Sequence, residues 1–177
     1  MDTEAVPAET CSICDRALDL HNRHVRFTLP DPVVDTPANE LAAGSWMSHA
    51  SARESVMMQV PNLGAFVRAL LPVALQDGYR VTFGVWVGIH PAELRSVFDA
   101  WWRPEYRDLR LTGRLANAIP PWGLLASPVD AEVHDDQHTP YCHRSDDPLL
   151  DRVLHDEWPH TLVLDALTGS GRPGCGE

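Results

Sequence analysis

The feature that most constrains the fold of this chain is a β-hairpin predicted near its middle. Asp77 and Gly78 separate two long apolar segments, FVRALLPVAL at residues 66–75 and VTFGVWVGI at residues 81–89. An Asp-Gly pair in this position is typical of a type I′ turn, because both central residues of that turn need a positive φ. The first segment also has helical propensity. We nevertheless predict a strand there, since a hairpin needs a partner and Pro72 suits an edge or bulge position.

The second hairpin strand, predicted at residues 79–89, carries two alternating sets of side chains. One set is apolar throughout, and the other begins polar and ends aromatic, so we expect the second face to be solvated at its outer half only. Four shorter strands are predicted elsewhere, in the segments HVRFTL, ESVMMQV, LRLTGRL and LLASPVDAEV.

Two amphipathic helices complete the prediction. In HPAELRSVFDAWW, Pro91 suits the first helical position, and apolar residues recur at helical spacing until Arg103-Pro104. In DDPLLDRVLHDEW, Asp147 is the predicted N-cap, and the inward-facing residues are Leu149, Leu150, Val153 and Leu154. The predicted class is α+β, an antiparallel sheet of about five or six strands with two main helices packed on it.

The 177 residues suit a single domain. We predict a flexible lead at residues 1–10, one globular domain at 11–167 that begins with a Cys-x-x-Cys element, and a disordered tail, TGSGRPGCGE, at 168–177.

The charge of the chain restricts its partners. The formal net charge is -11, and all 14 basic side chains are arginine. Such a surface repels a phosphate backbone, so we expect no general binding to nucleic acid. It suits a basic protein partner, or it serves solubility alone. The chain has no apolar run of membrane-spanning length and no signal-peptide pattern, and we expect no membrane partner and a cytoplasmic location. The oligomeric state is left open.

Several segments resemble one known family. The segments FGVWVGIHPAELRSVFDAWW, RPEY, TGRLANAIPPWGLLASPV and RSDDPLLDRVLHDEW follow one another as in the bacterial family called domain of unknown function 2199. The resemblance covers about residues 10–167 and implies a small cytoplasmic bacterial protein with no established activity. Members typically begin with Cys-x-x-Cys-Gly, where this chain has Cys11, Cys14 and then Asp15. Aspartate tolerates a positive φ better than most residues.

A metal site is predicted in the N-terminal segment CSICDRALDLHNRH. Cys-x-x-Cys brings two thiolates to one ion, and zinc needs two more ligands to complete a tetrahedron. The predicted set is Cys11, Cys14, His21 and His24, with zinc as the ion. The gap between Cys14 and His21 is shorter than in common zinc fingers, which leaves Cys142 or His143 as an alternative ligand. A metal-free cysteine pair and a thiol redox pair also remain open.

A second group of polar residues, HDDQHTPYCHRSDD, occupies residues 134–147. It could support a metal-dependent hydrolase built on the His/Asp cluster at 134–143, with a metal-bound water as nucleophile. The favoured interpretation is a solvated loop that leads into a capped helix.

The aromatic residues and the missing motifs suggest a non-catalytic protein. Trp86 and Trp101 are predicted to lie in the core. Trp102 and Trp122 lie near prolines. They form an exposed platform for a partner, or they pack in the core as well. Asn117 is predicted to support the backbone. No activated nucleophile or phosphate-binding motif is present. The predicted function is therefore a non-catalytic binding or protein-interaction module with a structural zinc clip, and the hydrolase is the alternative.

Overall fold

The computed structural model describes residues 9–37, 43–169 and 175–176. Ten strands are present in these ranges: β1 His24–Phe27, β2 Trp46–Met47, β3 Met57–Val60, β4 Gly64–Leu75, β5 Arg80–Ile89, β6 Arg110–Leu115, β7 Pro128–Glu132, β8 Tyr141–Arg144, β9 Glu157–Trp158 and β10 Cys175–Gly176. The α-helices of the described residues are α1 Asp31–Val34, α2 Leu94–Trp101, α3 Pro148–His155 and α4 His160–Gly169. Short 3-10 helices span Leu18–Leu20, Gln76–Gly78, Pro91–Glu93 and Pro104–Asp108.

The predicted hairpin is the centre of the fold. Strands β4 and β5 pair antiparallel from Ala65 opposite Ile89 to Ala74 opposite Arg80. Four residues separate the two strands, and Asp77 and Gly78 among them both adopt a positive φ, 62° and 77°. The positive φ values agree with the Asp-Gly signal, while the connection is longer than the predicted two-residue turn.

Five strands of the sheet close into a barrel, in the order β4, β5, β6, β7 and β8, with β8 pairing back to β4. The closing pair is parallel, through Leu70 opposite Tyr141. Strands β1 and β9 also pair parallel with β5 and β4. The prediction of a wholly antiparallel sheet of about five or six strands is corrected accordingly: the sheet is mixed and larger. Its parallel pairs join segments that are distant in sequence, where no local turn signal exists.

The barrel interior is the main core. Both long strands direct one face into it, where Leu71, Val73, Phe83, Val85 and Val87 are fully buried. A smaller core lies on the opposite face of the hairpin around Trp86, which is also fully buried. Trp86 and the half-buried Trp101 therefore belong to the core, as predicted.

Helices α2 and α3 match the two predicted helices. Leu94 and Val97 are buried on α2, and Leu150 and Val153 are buried on α3, which packs against β4. Leu149 is exposed, contrary to the prediction, because it lies on the solvent side of the first turn of α3. The short helix α4 follows Pro159.

The predicted lead and tail fall largely outside the described residues. Within the described part, α4 continues through Gly169, and Cys175–Gly176 pair with β1. None of the described helices combines the length and the apolar character that crossing a membrane requires.

Candidate metal centre

The two N-terminal cysteines lie on one tight turn. The Cys11 amide donates to the Arg16 carbonyl at 2.8 Å, and the Asp15 amide donates to the Cys11 carbonyl at 2.9 Å. Asp15 adopts a φ of 57°, the left-handed conformation that glycine adopts most readily. This backbone turn places both thiols on the same side, with Cys11 buried and Cys14 half-buried.

His21 enters the site from the end of the 3-10 helix Leu18–Leu20. Its amide donates to the Leu18 carbonyl at 3.0 Å, and the ring is 4% exposed. Its Nδ1 lies 3.2 Å from the Ala17 carbonyl oxygen. Since a carbonyl only accepts, the hydrogen-bond network assigns the proton to Nδ1 and leaves Nε2 with a lone pair in the neutral ring.

His160 enters from the other end of the chain. It is the first residue of α4, and its ring is 1% exposed. Its Nε2 lies 2.6 Å from the Gln76 carbonyl oxygen in the β4–β5 loop. By the same argument Nε2 carries the proton, and Nδ1 presents a lone pair.

These four residues converge on one point. His21 Nε2 lies 3.1 Å from His160 Nδ1, Cys14 Sγ lies 3.4 Å from His21 Nε2, and Cys11 Sγ lies 3.5 Å from His160 Nδ1. All four ligand atoms lie within 4.8 Å of one another. In a tetrahedral zinc site the expected separations are about 3.3 Å between two nitrogens and about 3.6 Å between sulfur and nitrogen, from Zn–N of about 2.05 Å and Zn–S of about 2.3 Å. The three short separations therefore fit a tetrahedral ion.

The surroundings of Cys11 also favour its ionised form. Burial raises the pKa of this thiol, but hydrogen bonds, chiefly from the Ile13 and Cys14 backbone amides, outweigh burial, so its pKa is lowered from the ordinary value of 9.0. A thiolate is the form that ligates a metal.

The structure brings together three of the four predicted ligands, Cys11, Cys14 and His21, and His160 is the fourth member of their cluster. His24 lies apart from the cluster, on the exposed face of β1. The alternative ligand Cys142 is buried in β8, where burial raises its pKa to about 12, and it does not join the cluster either. Sequence reasoning missed His160, whose partner Cys11 is 149 positions away. The only sequence feature that distinguishes His160 locally is its position directly after Pro159.

The second polar group does not form a comparable site. Among the described residues, one group of three or more histidine, cysteine or acidic side chains has its ligand atoms close enough to share an ion. That group is Cys11, Cys14, His21 and His160. Asp135 accepts hydrogen bonds from the Gln137 amide and the His138 ring, and Asp136 pairs with Arg107 at 3.2 Å. Residues Tyr141–Arg144 form β8 rather than a loop. Asp147 caps α3, as predicted.

Trp102 and Trp122, whose exposure the sequence left open, differ from each other in the structure. Trp102 is 54% exposed and contacts Phe98 at a ring distance of 4.8 Å. Phe98 in turn contacts Trp46, which with Met47 is also exposed. We call these four residues, Trp46, Met47, Phe98 and Trp102, the aromatic surface. Trp122 is half-buried against Trp158 on a different part of the molecule.

Comparison with known proteins gives one match. The family model DUF2199, described as an uncharacterized protein conserved in bacteria, matches residues 10–155. The matched segment includes Cys11, Cys14 and His21 and ends before His160. No curated protein and no solved structure matches the chain.

Proposed function

The chain belongs to the bacterial family DUF2199, and we propose that it is a non-catalytic protein-interaction module whose N-terminal strap is fixed by a structural zinc ion. The strap is the segment from residue 9 to residue 23. The proposed ligands are Cys11, Cys14, His21 and His160.

One observation carries the zinc proposal, the approach of two imidazole lone pairs. His21 Nε2 and His160 Nδ1 lie 3.1 Å apart, and the other nitrogen of each ring is held by a backbone carbonyl. Two acceptors facing each other in a buried site repel unless a cation lies between them. Carbonyl groups that orient ligating histidines in this way are usual around zinc.

The donor set favours zinc in a structural role. Two thiolates and two imidazoles are a typical structural zinc set, and four protein ligands leave no position for a reacting water. The barrel has its own apolar core, so the ion acts locally by joining the strap to α4 and to the β4–β5 loop. An ion pair between Arg16 and Asp165 links the same two parts of the molecule.

The proposal is tested by the metal content of protein purified without a metal-affinity tag. We expect about one zinc ion per chain in the parent, and loss of that zinc in His160→Ala and in Cys14→Ser. His24→Ala is the matched control, because the sequence pattern predicted His24 as a ligand and its side chain lies outside the cluster. Hydrogen exchange should show faster exchange in the strap after chelation, with the amides of β4 and β5 unchanged.

Two outcomes would contradict the zinc proposal. One is a parent protein without zinc after growth in zinc-supplemented medium. The other is the reversed pattern, in which His24→Ala loses the ion and His160→Ala retains it.

The interaction role is supported by the aromatic surface and the charge. Trp102 and Trp46 are 54% and 38% exposed. A groove of about 350 Å³ is lined in part by Trp46, Leu94 and Phe98. Large aromatic side chains supply much of the binding energy of interfaces. The net charge of -11 complements a basic protein, which is the occupant we propose.

A further inference from the structure

A small basic cavity lies on the outer face of strands β1, β5 and β4, apart from the metal centre. Its volume is about 180 Å³. Four basic side chains line it, those of His24, Arg26, Arg68 and His138, and no carboxylate belongs to the lining. This grouping is notable in a chain with a net charge of -11. We call it the basic cavity.

Arg68 is a fixed, buried positive charge at this cavity. The residue is 2% exposed, and its guanidinium lies over the Trp86 ring at 4.1 Å. It donates to four backbone carbonyls, those of Phe27, Thr28, Ala52 and Ser55. Within the described ranges it has no carboxylate partner, and burial together with the charge of Arg26 lowers its pKa to about 9. A buried charge without a counterion is costly, and an anion nearby reduces that cost.

Arg26 is directed over the cavity by the strand pairing. It lies opposite Gly84 in the parallel β1–β5 pair. A side chain at Gly84 would bring its Cβ to 3.3 Å from Arg26 Cγ, so the glycine leaves room for the arginine to lie across β5. No carboxylate in the described part of the chain pairs with Arg26, and burial and the charge of Arg53 lower its pKa.

Histidines and a hydroxyl complete the cavity. His24 precedes Arg26 by two positions on the same face of β1, and burial, Arg26 and His138 all lower its pKa. His138 and Thr139 form the opposite wall. The Nδ1 of His138 is hydrogen-bonded to Asp135, which lies outside the lining, so its Nε2 is the ring nitrogen left for a ligand.

We propose that the basic cavity binds a single phosphate group, either as inorganic phosphate or as the phosphomonoester end of a larger molecule. Arg26 and the imidazoles of His24 and His138 line a space that suits one tetrahedral anion, and arginine pairs with phosphate through charge-assisted hydrogen bonds. Arg68 donates to backbone carbonyls and contributes a fixed positive charge to the same cavity. The proposal is independent of zinc and of the aromatic surface. The proposed ligand would contact His24 and His138, neither of which belongs to the candidate metal centre.

The test is a titration of ¹⁵N-labelled full-length chain with inorganic phosphate, and separately with phosphoserine, against sodium chloride at equal ionic strength. We expect saturable shifts of the Gly84 and Thr139 amides with one ligand per chain. Arg26→Gln should weaken binding about tenfold or more, as expected for loss of a charge-assisted hydrogen bond. Arg103→Gln, an exposed arginine away from the cavity, is the matched control and should bind as the parent does.

The outcomes of this titration distinguish the two sources of the phosphate group from each other, and both from failure of the proposal. Tighter binding of inorganic phosphate identifies the free ion, and tighter binding of phosphoserine identifies a phosphomonoester. Shifts that do not saturate, shifts away from the cavity, or an equal loss in Arg103→Gln would overturn the proposal. Arg26 is exposed, so Arg26→Gln is expected to fold, and its thermal midpoint checks this.

Discussion

At the scale of single residues, Asn117 shows how one buried amide joins distant backbone segments. It is fully buried, and its Oδ1 accepts from the Trp86 amide at 2.8 Å. Its Nδ2 donates to the Leu29 carbonyl at 2.9 Å and to the Asp31 carboxylate at 3.1 Å. Every polar atom of the side chain thus has a partner, and those partners lie on β5 and at the start of α1. The backbone role predicted for Asn117 agrees with these contacts.

Replacing Asn117 should therefore be strongly destabilising. We expect Asn117→Ala to lower the free energy of unfolding by about 2–4 kcal/mol, because it leaves a buried amide and a buried carbonyl without partners. Urea denaturation measures the change. Gln59→Ala, at an exposed position on β3, is the control and should change stability by less than about 0.5 kcal/mol. A loss at Asn117 no larger than the control would show that water replaces the amide.

Single residues also show how far the candidate metal site could be predicted from the sequence. The spacing of Cys11 and Cys14 is a local signal, because two residues between cysteines allow one turn to bring both thiols together. His21 follows within the same segment. His160 is brought to them only by the packing of α4 against the strap and the β4–β5 loop, and nothing in the sequence near Pro159 encodes that contact. His24 was the nearest alternative along the chain, but strand β1 holds it on the exposed face.

At the scale of elements, the parts with strong local signals could be predicted and the others could not. The Asp-Gly loop, the apolar alternation of β5 and the capped helix α3 depend on residues within one segment. Strand β8 lies in a polar stretch where Cys142 is the buried residue, so its sequence has little apolar alternation. Its parallel pairing with β4 completes the barrel through contacts between residues about 70 positions apart, Leu70 and Tyr141. Local patterns do not encode such contacts.

The stabilisation of α3 by its N-cap, Asp147, should depend on pH. A hydrogen bond from the Ser127 hydroxyl, at 2.7 Å, lowers its pKa from 3.8, and the Leu149 and Leu150 amides lower it further. A carboxyl with a lower pKa in the folded state stabilises the fold above its unfolded pKa. That contribution is lost as the pH falls through the folded pKa.

Asp147→Asn should accordingly lower the thermal midpoint near neutral pH. The difference from the parent should shrink as the pH falls below 3.8, the ordinary carboxyl value. Thermal melts over a pH series measure this. Asp146→Asn is the control, since Asp146 is exposed and pairs with Arg144 instead of capping α3. A difference that stays constant down to the most acidic sample would contradict the linkage.

At the scale of the whole molecule, the aromatic surface and the net charge predict a salt-sensitive partner. A bacterial lysate passed over the immobilised chain at low salt should yield a basic protein that is released as the salt concentration rises, because screening weakens attraction between opposite charges. Trp102→Ser should abolish retention of that same protein. Trp122→Ser, which alters a half-buried tryptophan elsewhere, should retain it.

Other results of this experiment would count against the interaction proposal. Retention that survives Trp102→Ser would place the contact elsewhere. Self-association of the parent that Trp102→Ser removes would identify a second copy of the chain as the occupant.

The separation of the proposed metal ligands along the chain has a consequence for synthesis. Cys11 and His160 are 149 residues apart, which a ribosome translating 5–20 residues per second covers in roughly 7 to 30 s. During that interval a nascent chain carries three of the proposed ligands and lacks the fourth. Full coordination would then require that synthesis has passed the start of α4, and a product that stops short of α4 would hold its ion weakly and leave its first segment open to proteases.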